Sequence, residues 1–341
     1  MAAEWHAESS LFGVPAPLPI PKRHISVVPI GLWTAQAART AIATGCGVSS
    51  GRLPPLGLRH QVFRGSDAVR AGLITPDQLR GSAYVRLFRN IYADASLEID
   101  HRVRIDGAGL LLPSSAAIAR RSAAAVAGIT DVIGDDEPVE VIIEPGVVFG
   151  PFKGMRIRRA KLPAADVLAC DPPRTTLLRA AVDIAREADR MQAVVALDRI
   201  LHSGRITHEA LFDAVVILPP CRGSALAGKA LGNADGRSES PPETLTRLLL
   251  IAAGLSPVPQ YTVMLEGAFV ARVDLAFVPE RVAIEYEGSW HWAPGQLRRD
   301  RQRLDRLTAA GWRTVHVTAA DLHRPQDMIA RVRSVLALAS A

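Results

Sequence analysis

Residues 272–288 read RVDLAFVPERVAIEYEG, two apolar runs on either side of a Pro279-Glu280-Arg281 break. That is the pattern of a β-hairpin, or of two neighbouring strands joined by a short turn. Side chains alternate across a strand, so Val273, Leu275 and Phe277 are expected on one face and Asp274, Ala276 and Val278 on the other. In the second run Val282, Ile284 and Tyr286 take one face, and Ala283, Glu285 and Glu287 the opposite one. Asp274, Glu285 and Glu287 are thereby expected together on one side of an otherwise apolar sheet. Two carboxylates about 4 Å apart repel by roughly 4 kcal/mol at an effective dielectric near 20. Such a group takes up a proton or binds a cation. Oxygen-only ligands on a rigid hairpin suit Mg²⁺ or Mn²⁺, with water completing the shell. The alternative is that one or two of the acids merely solvate an exposed edge.

The 341-residue chain, 48% hydrophobic and 22% charged, has the composition of a globular protein and the length of two or three domains. Its net charge is +6, with basic residues that are nearly all Arg. That tilts expectation toward nucleic acid or another polyanion as partner. The three cysteines, Cys46, Cys170 and Cys221, lie far apart and form no C-x-x-C or Cys/His cluster. Neither a zinc site nor a disulfide framework is expected, and a reducing, cytoplasmic location is. No apolar run approaches the ~20 residues that span a bilayer, so no membrane association is expected. Lys22-Arg23-His24 and the apolar residues behind it imitate a signal sequence only faintly, being broken by Pro29 and Gly31. Residues 1–60 read as a Pro/Gly-punctuated extension, with a misassigned start codon as one explanation.

From residue 61 the pattern is orderly. Ser66 is expected to N-cap a short helix over 67–71 closed by Gly72, and Thr75-Pro76-Asp77 to open a second helix to about Arg80. Residues 84–92, YVRLFRNIY, then read as strands around a turn at Arg89-Asn90. Helix, turn, helix and β-wing is the order of a winged helix-turn-helix, in which Arg80, Arg86 and Arg89 would meet phosphates or a groove. A small helical bundle used for packing or dimer contacts is the alternative. GSDAVRAGLITPDQLR…RLFRNIYA resembles the N-terminal winged-helix segment of AbiEi-type antitoxins, the transcriptional autoregulators of toxin–antitoxin pairs. Asn90 stands where those relatives usually carry Gly, and Asn also tolerates the left-handed region. The resemblance implies DNA and a toxin protein as partners.

Residues 97–112 and 114–128 read as two helices separated by Pro113, and 139–144 and 155–159 as strands around a Gly/Pro loop. Arg156, Arg158 and Lys161 of RIRRAK are either extra basic positions or a solvated strand face. Helical spacing covers 175–188 and 191–201, and Thr207 can cap a third helix through Leu218. His202 and His208 stand alone and read as surface residues. Residues 223–236, rich in small side chains, lead as a loose helix into a joint. Ser240 with Glu243 three residues on and Pro241 at the first helical position then marks a new start. An apolar helix over 244–253 ends at Gly254, and strands follow over 260–265, 269–278 and 282–287. The next helix, 296–310, is expected to turn Leu297, Leu304 and Leu307 inward, leaving Arg298, Arg299, Arg301, Arg303 and Arg306 on its remainder. A strand over 312–317 and a helix over 326–338 close the chain. The expected fold class is α/β (α+β), divided into the extension 1–60, a winged-helix domain 61–130, a mixed connecting domain 131–237 and a final domain 238–341.

Helix, three strands, helix and strand is the core order of the PD-(D/E)XK, restriction-endonuclease-like fold. More narrowly, SESPPE…GLSPVPQY…RVDLAFVPERVAIEYEGSWHW…RRDRQRLDRLTAAGWRTVHVT resembles, over residues 238–338, an actinobacterial group of proteins related to the very-short-patch-repair endonuclease. The resemblance implies Asp274 as the central metal-ligand carboxylate and Glu285 as the first acid of the (D/E)-x-K step. It implies Glu243 as an upstream acid reaching the same cation, a role compatible with its capping box. Glu287 falls where many such nucleases carry Lys. A lysine there would orient water and offset charge, which Glu287 cannot do. His291 is a candidate replacement as general base or acid, or as an outer-sphere metal partner; stacking with Trp290 and Trp292 is the alternative. Asp300 would support the site or pair with a neighbouring Arg. The Arg-rich helix, with Arg298, Arg299 and Arg301, would track phosphates. The expectation is a DNA-binding protein with a Mg²⁺- or Mn²⁺-dependent endonuclease domain. The alternative is a non-catalytic, antitoxin-like transcriptional regulator whose nuclease-like domain holds DNA or forms a homodimer.

Overall fold

The computed structural model describes residues 54–220, 222–288 and 296–339, with side chains from residue 300 onward in the last stretch. All of them fall within one unit, Gly51–Ala341.

The N-terminal module is a small antiparallel sheet. Strand β1 (Val62–Arg64) runs straight into helix α1 (Gly65–Arg70). A 3₁₀ turn (Gln78–Arg80) follows, and β2 (Tyr84–Phe88) and β3 (Ile91–Asp94) complete the sheet in the order β1-β3-β2. Phe63, Ala68, Ile74 and Tyr84 fill its core, Phe63 lying edge-on to Tyr84 at 5.4 Å between ring centroids. Asn90 takes the left-handed turn position at φ +64°, as expected.

Two helix expectations are corrected here. Helix α1 starts at Gly65, with Ser66 inside its first turn, because the hairpin caps it. Gly65 N–H donates to Asn90 O at 3.0 Å and Ser66 N–H to Asn90 Oδ1 at 2.9 Å, satisfying early helical donors from across the fold. The helix expected from Thr75 is the 3₁₀ turn alone. Thr75 and Gln78 do cap one another, through Thr75 N–H to Gln78 Oε1 at 2.7 Å and Gln78 N–H to Thr75 Oγ1 at 3.3 Å, but Gly81 follows at once in extended conformation.

The middle of the chain builds a second sheet. Helix α2 (His101–Gly109), capped by Asp100, precedes β4 (Ala116–Ile118), α3 (Arg120–Val126), β5 (Val139–Ile143), β6 (Met155–Arg159), β7 (Val167–Leu168) and β8 (Arg174–Thr175). The strand order is β6-β5-β4-β8-β7, with parallel and antiparallel pairs mixed. The single helix expected over 114–128 is thus a strand followed by a shorter helix. Helix propensity in AAIA yields to burial, since Ala116, Ala117 and Ile118 lie between β5 and β8 at 2% exposure or less. The β4–β5 pairing joins residues on either side of 130 into one sheet.

Four helices then pack on one another: α4 (Leu177–Ala185), α5 (Arg190–His202), α6 (His208–Val216) and α7 (Ser224–Leu231). Thr176, Asp189 and Thr207 cap the first three, and Ile184, Leu197, Ile200 and Leu211 are wholly buried between them.

The last region comprises α8 (Pro241–Ala252), β9 (Val258–Leu265), β10 (Ala268–Phe277), β11 (Val282–Glu287), α9 (Gln296–Ala309), β12 (Arg313–Thr318), α10 (Ala319–His323) and α11 (Pro325–Ala339). Its sheet is ordered β12-β11-β10-β9, antiparallel through β9, β10 and β11 and parallel between β11 and β12, across which α9 forms the connection. Leu275, Phe277, Val282 and Ile284 pack with Leu250, Met328 and Val332. Ala276 and Ala283 pack with Leu307 and Trp312. Val273, expected beside Leu275 and Phe277, belongs to this second cluster. The β9–β10 ladder skips Asp274 and Gln260, and Gln260 stands at φ +50°, so strict alternation breaks there.

Helix α8 is tied to α5 by a buried charge. Asp198, with no exposed surface, accepts from Asp235 N–H at 2.7 Å, Thr244 Oγ1 at 2.8 Å and the Arg247 guanidinium at 2.7 Å. Burial pushes its carboxyl up to about 6 against the pull of Arg247. Removing one partner strands a buried charge. Asp198→Ala is expected to cost about 3–5 kcal/mol in urea denaturation at neutral pH; a loss below about 1 kcal/mol would show that the tie holds nothing.

Candidate active site

Helix α8 begins with Ser240 at its N-cap and Pro241 at its first position, which places Glu243 in the first turn. The Glu243 carboxylate accepts from Glu239 N–H at 2.8 Å, Ser240 Oγ at 2.8 Å and Gln260 Nε2 at 2.9 Å. The expected capping box is therefore displaced by one residue, since Glu243 reaches back to Glu239 and not to Ser240 N–H. Glu243 is only 8% exposed, and its first-turn position suits a carboxylate.

Across the sheet, continuing the Leu275–Ile284 register by one residue sets Asp274 opposite Glu285. Asp274 Oδ2 accepts from Tyr286 N–H at 2.8 Å. Glu285, 7% exposed, takes the Arg303 guanidinium on Oε1 at 2.7 Å, and Arg303 also donates to Arg272 O at 2.7 Å. Arg272 in turn pairs with Glu239 at 2.5 Å.

Burial is the main reason that both facing acids hold protons tightly. It pushes Asp274 up to about 6, with Glu243 and Glu239 adding repulsion while the Tyr286 N–H and Arg303 oppose it. Burial and then the Asp274 charge push Glu285 up to about 7 against the Arg303 contact. Glu243 thus adds repulsion at both facing acids, and the Asp274 charge adds to that at Glu285.

Glu287 does not join them, which corrects the expected trio. It is the last residue of β11, with a side chain 58% exposed and Oε1 2.7 Å from His316 Nδ1 on β12. At the sheet rim its carboxylate is open to solvent. His291 and the side chains of Arg298 and Arg299 lie outside the described residues. Arg301 and Asp300 are exposed on α9. Arg80, Arg86 and Arg89 are exposed on the N-terminal module, Arg80 beside Asp77 and Arg86 Nε donating to Phe88 O at 3.2 Å, and the acid site includes none of them.

Two site residues escaped the sequence reading. Arg303 was counted with the outward arginines, yet it precedes the buried Leu307 by four residues and so shares its helical stripe. That spacing was a usable signal. Gln260 carried none, because its role depends on a left-handed backbone break inside a strand.

A divalent cation fits part of this donor set. Asp274 Oδ1 and Glu285 Oε2 accept no hydrogen bond from the described residues, leaving one free oxygen on each of two facing carboxylates. Mg²⁺ is commonly held by one or two carboxylates with water and substrate phosphate. Glu243 has both oxygens engaged. Among the described residues no group of three or more His, Cys, Asp or Glu side chains is arranged to hold a metal ion.

Fold and site together define an α/β protein with a paired-acid centre on its C-terminal mixed sheet. No protein-family model matches the chain. Over 264 residues, 75% of this chain and 93% of the relative, it is 31% identical to uncharacterized protein Rv2248 of Mycobacterium tuberculosis strain H37Rv, and equally to uncharacterized protein MT2308 of strain CDC 1551. The chain belongs to the family of these mycobacterial proteins. Among solved structures, the catalytic domain of homing endonuclease I-Bth0305I is similar at a TM-score of 0.24 and 18% identity, over 29% of this chain and 97% of that domain. None of the helices among the described residues is long and apolar enough to cross a membrane.

The raised proton affinities have a thermodynamic consequence. Between about pH 4 and pH 7 the folded protein retains protons at Asp274 and Glu285 that the unfolded chain releases, so their contribution to stability falls as pH rises. Melting followed by circular dichroism without metal should show wild type losing stability, relative to the Asp274→Asn, Glu285→Gln double variant, from about pH 4 to about pH 7. Mg²⁺ or Mn²⁺ at the upper pH should restore it in wild type alone. Parallel pH profiles for the two proteins would refute the paired-acid account.

Proposed function

We propose that the C-terminal region is a restriction-endonuclease-like phosphodiesterase acting on DNA, using Mg²⁺ or Mn²⁺ held by Asp274 and Glu285. The observation that carries this reading is the pair of opposed carboxylates, both raised in proton affinity and each with a free oxygen. A divalent cation bound there would neutralise charge on the phosphoryl oxygens and acidify a water molecule. The chain's own groups supply the rest. Arg303 fixes the orientation of Glu285 and holds α9 against β10. The Tyr286 N–H fixes Asp274. Glu243 anchors Gln260 and the start of α8, a supporting role in place of direct ligation. Glu287 supplies no positive charge where many such nucleases carry Lys, which leaves His291 to handle the proton. Arg301, exposed on α9, would track phosphate. The N-terminal module, read as a winged-helix arm, would present Arg80 from its 3₁₀ turn, Arg86 from β2 and Arg89 from the hairpin turn to the duplex. A toxin protein or a second copy of the chain would be further partners of this cytoplasmic protein.

One observation favours a second reading. The Arg303 guanidinium already sits 2.7 Å from Glu285, so the cation neutralising that acid could be the protein's own. The domain would then be an antitoxin-like regulator that binds DNA without cutting it.

Nicking of supercoiled plasmid separates the two. Purified protein should nick with Mg²⁺ or Mn²⁺ and not with EDTA, and Asp274→Ala should lower the rate by about 100-fold or more, given several kcal/mol of transition-state charge stabilisation at stake. A parallel RNA digest assigns the polymer. Binding without cleavage under any divalent metal would establish the regulator.

A further inference from the structure

Strands β5 and β6 and the starts of α3 and α7 border a cavity of about 400 Å³ whose charged lining is Arg120, Arg158, Arg159, Arg186, Arg222 and one carboxylate, Asp183. Its floor is electrically closed. Arg120, 4% exposed and held at φ +54°, binds Glu140, Glu187 and Asp183 O. Glu140 also takes Arg156 at 3.2 Å, and Glu187 takes Arg121 at 2.5 Å. Asp183 takes Arg179 at 2.8 Å with Arg186 at 3.8 Å. All three carboxylates are thus already shared between arginines.

The rim is different. Arg158, Arg159 and Arg222 are exposed, and no carboxylate among the described residues comes within ion-pair distance of them. Burial, then the nearby Arg120 charge, pulls the Arg158 guanidinium below its ordinary range, opposed by Glu187, Glu140 and Asp183. Those acids are already shared between the floor arginines, which leaves the rim guanidiniums in local positive excess. An incoming anion would relieve that excess.

The geometry favours a polymer over a single small anion. β6 is the open edge of its sheet, so Arg158 and Arg159 stand along an unpaired border. Arg222 is held on the facing wall by backbone constraint. Gly223, at φ +90°, approaches so closely that an added Cβ would lie 2.7 Å from Arg186 O, and Arg186 donates to Arg222 O at 2.9 Å. The net charge of +6 adds long-range attraction for a polyanion.

We propose that this arginine rim is a second binding site for the phosphodiester backbone of DNA, built on the middle sheet and separate from the paired acids. The inference deepens the DNA-directed reading above and rests on it.

The test uses the full chain with Arg158, Arg159 and Arg222 replaced together, once by Ala and once by Glu. These exposed side chains lack acid partners, so both variants should melt like wild type. Anisotropy of a labelled duplex of about 20 base pairs is read in EDTA, away from any cleavage, across a salt series. The Ala variant should bind at least about tenfold more weakly, with a log K against log salt slope shallower by about 2–3, and the Glu variant more weakly still. Unchanged affinity and slope overturn the rim while leaving the acid site untouched. Inorganic phosphate is added at matched ionic strength as a second arm. Phosphate that stabilises wild type but not the Ala variant, with DNA binding equal in both, assigns the site to small anions and overturns the proposal. A wild type that binds no duplex sinks the shared reading, whereas nicking that persists in the rim variants beside lost binding separates the two sites.

Discussion

Two carboxylates that water would normally solvate are instead pressed into the middle of a four-stranded sheet. The protein tolerates Asp274 and Glu285 there because two neighbouring groups are aimed at them, the Tyr286 backbone N–H and the Arg303 guanidinium, against the repulsion of a third acid at the start of α8. Much of the last hundred residues follows from that requirement. Helix α9 must lie where Arg303 can reach β11, β9 must break its ladder where Gln260 meets Glu243, and α8 must start where its first turn faces the sheet. The sheet around the two acids is apolar on both faces, so the polar centre is a small island between two well-packed clusters.

The same logic separates Glu285 from Glu287. They are two residues apart on one strand and should share a face, yet one is deep and the other lies at the rim beside His316. Alternation tells which side of a strand a residue occupies, but not how far along the strand the sheet remains covered. The helix covering that side ends the argument for burial, and its position is a tertiary fact.

Much was legible without coordinates. Strand β11 and the N-cap residues Ser240 and Thr207 follow from hydrophobic period and hydrogen-bonding side chains close in sequence. Asn90 was readable because few residues tolerate its backbone conformation. The misses share a cause. Ser66 lost its capping role to Asn90, twenty-four residues away, and Ala116–Ile118 became a strand because partners on both sides buried it. In each case a contact distant in sequence outweighed a local preference.

Helix α8 has one further property. Leu248 sits in the core formed by α4 to α7, while Leu250, two residues on, sits beneath the C-terminal sheet. Both cores claim the same helix, so the joint at residue 238 is a boundary in the chain but not in the packing. Severing the polypeptide there would flay one side of a party wall. Shuffling the paired-acid sheet onto another architecture would oblige the new host to supply a surface shaped like α5, which keeps the two halves of this protein travelling together.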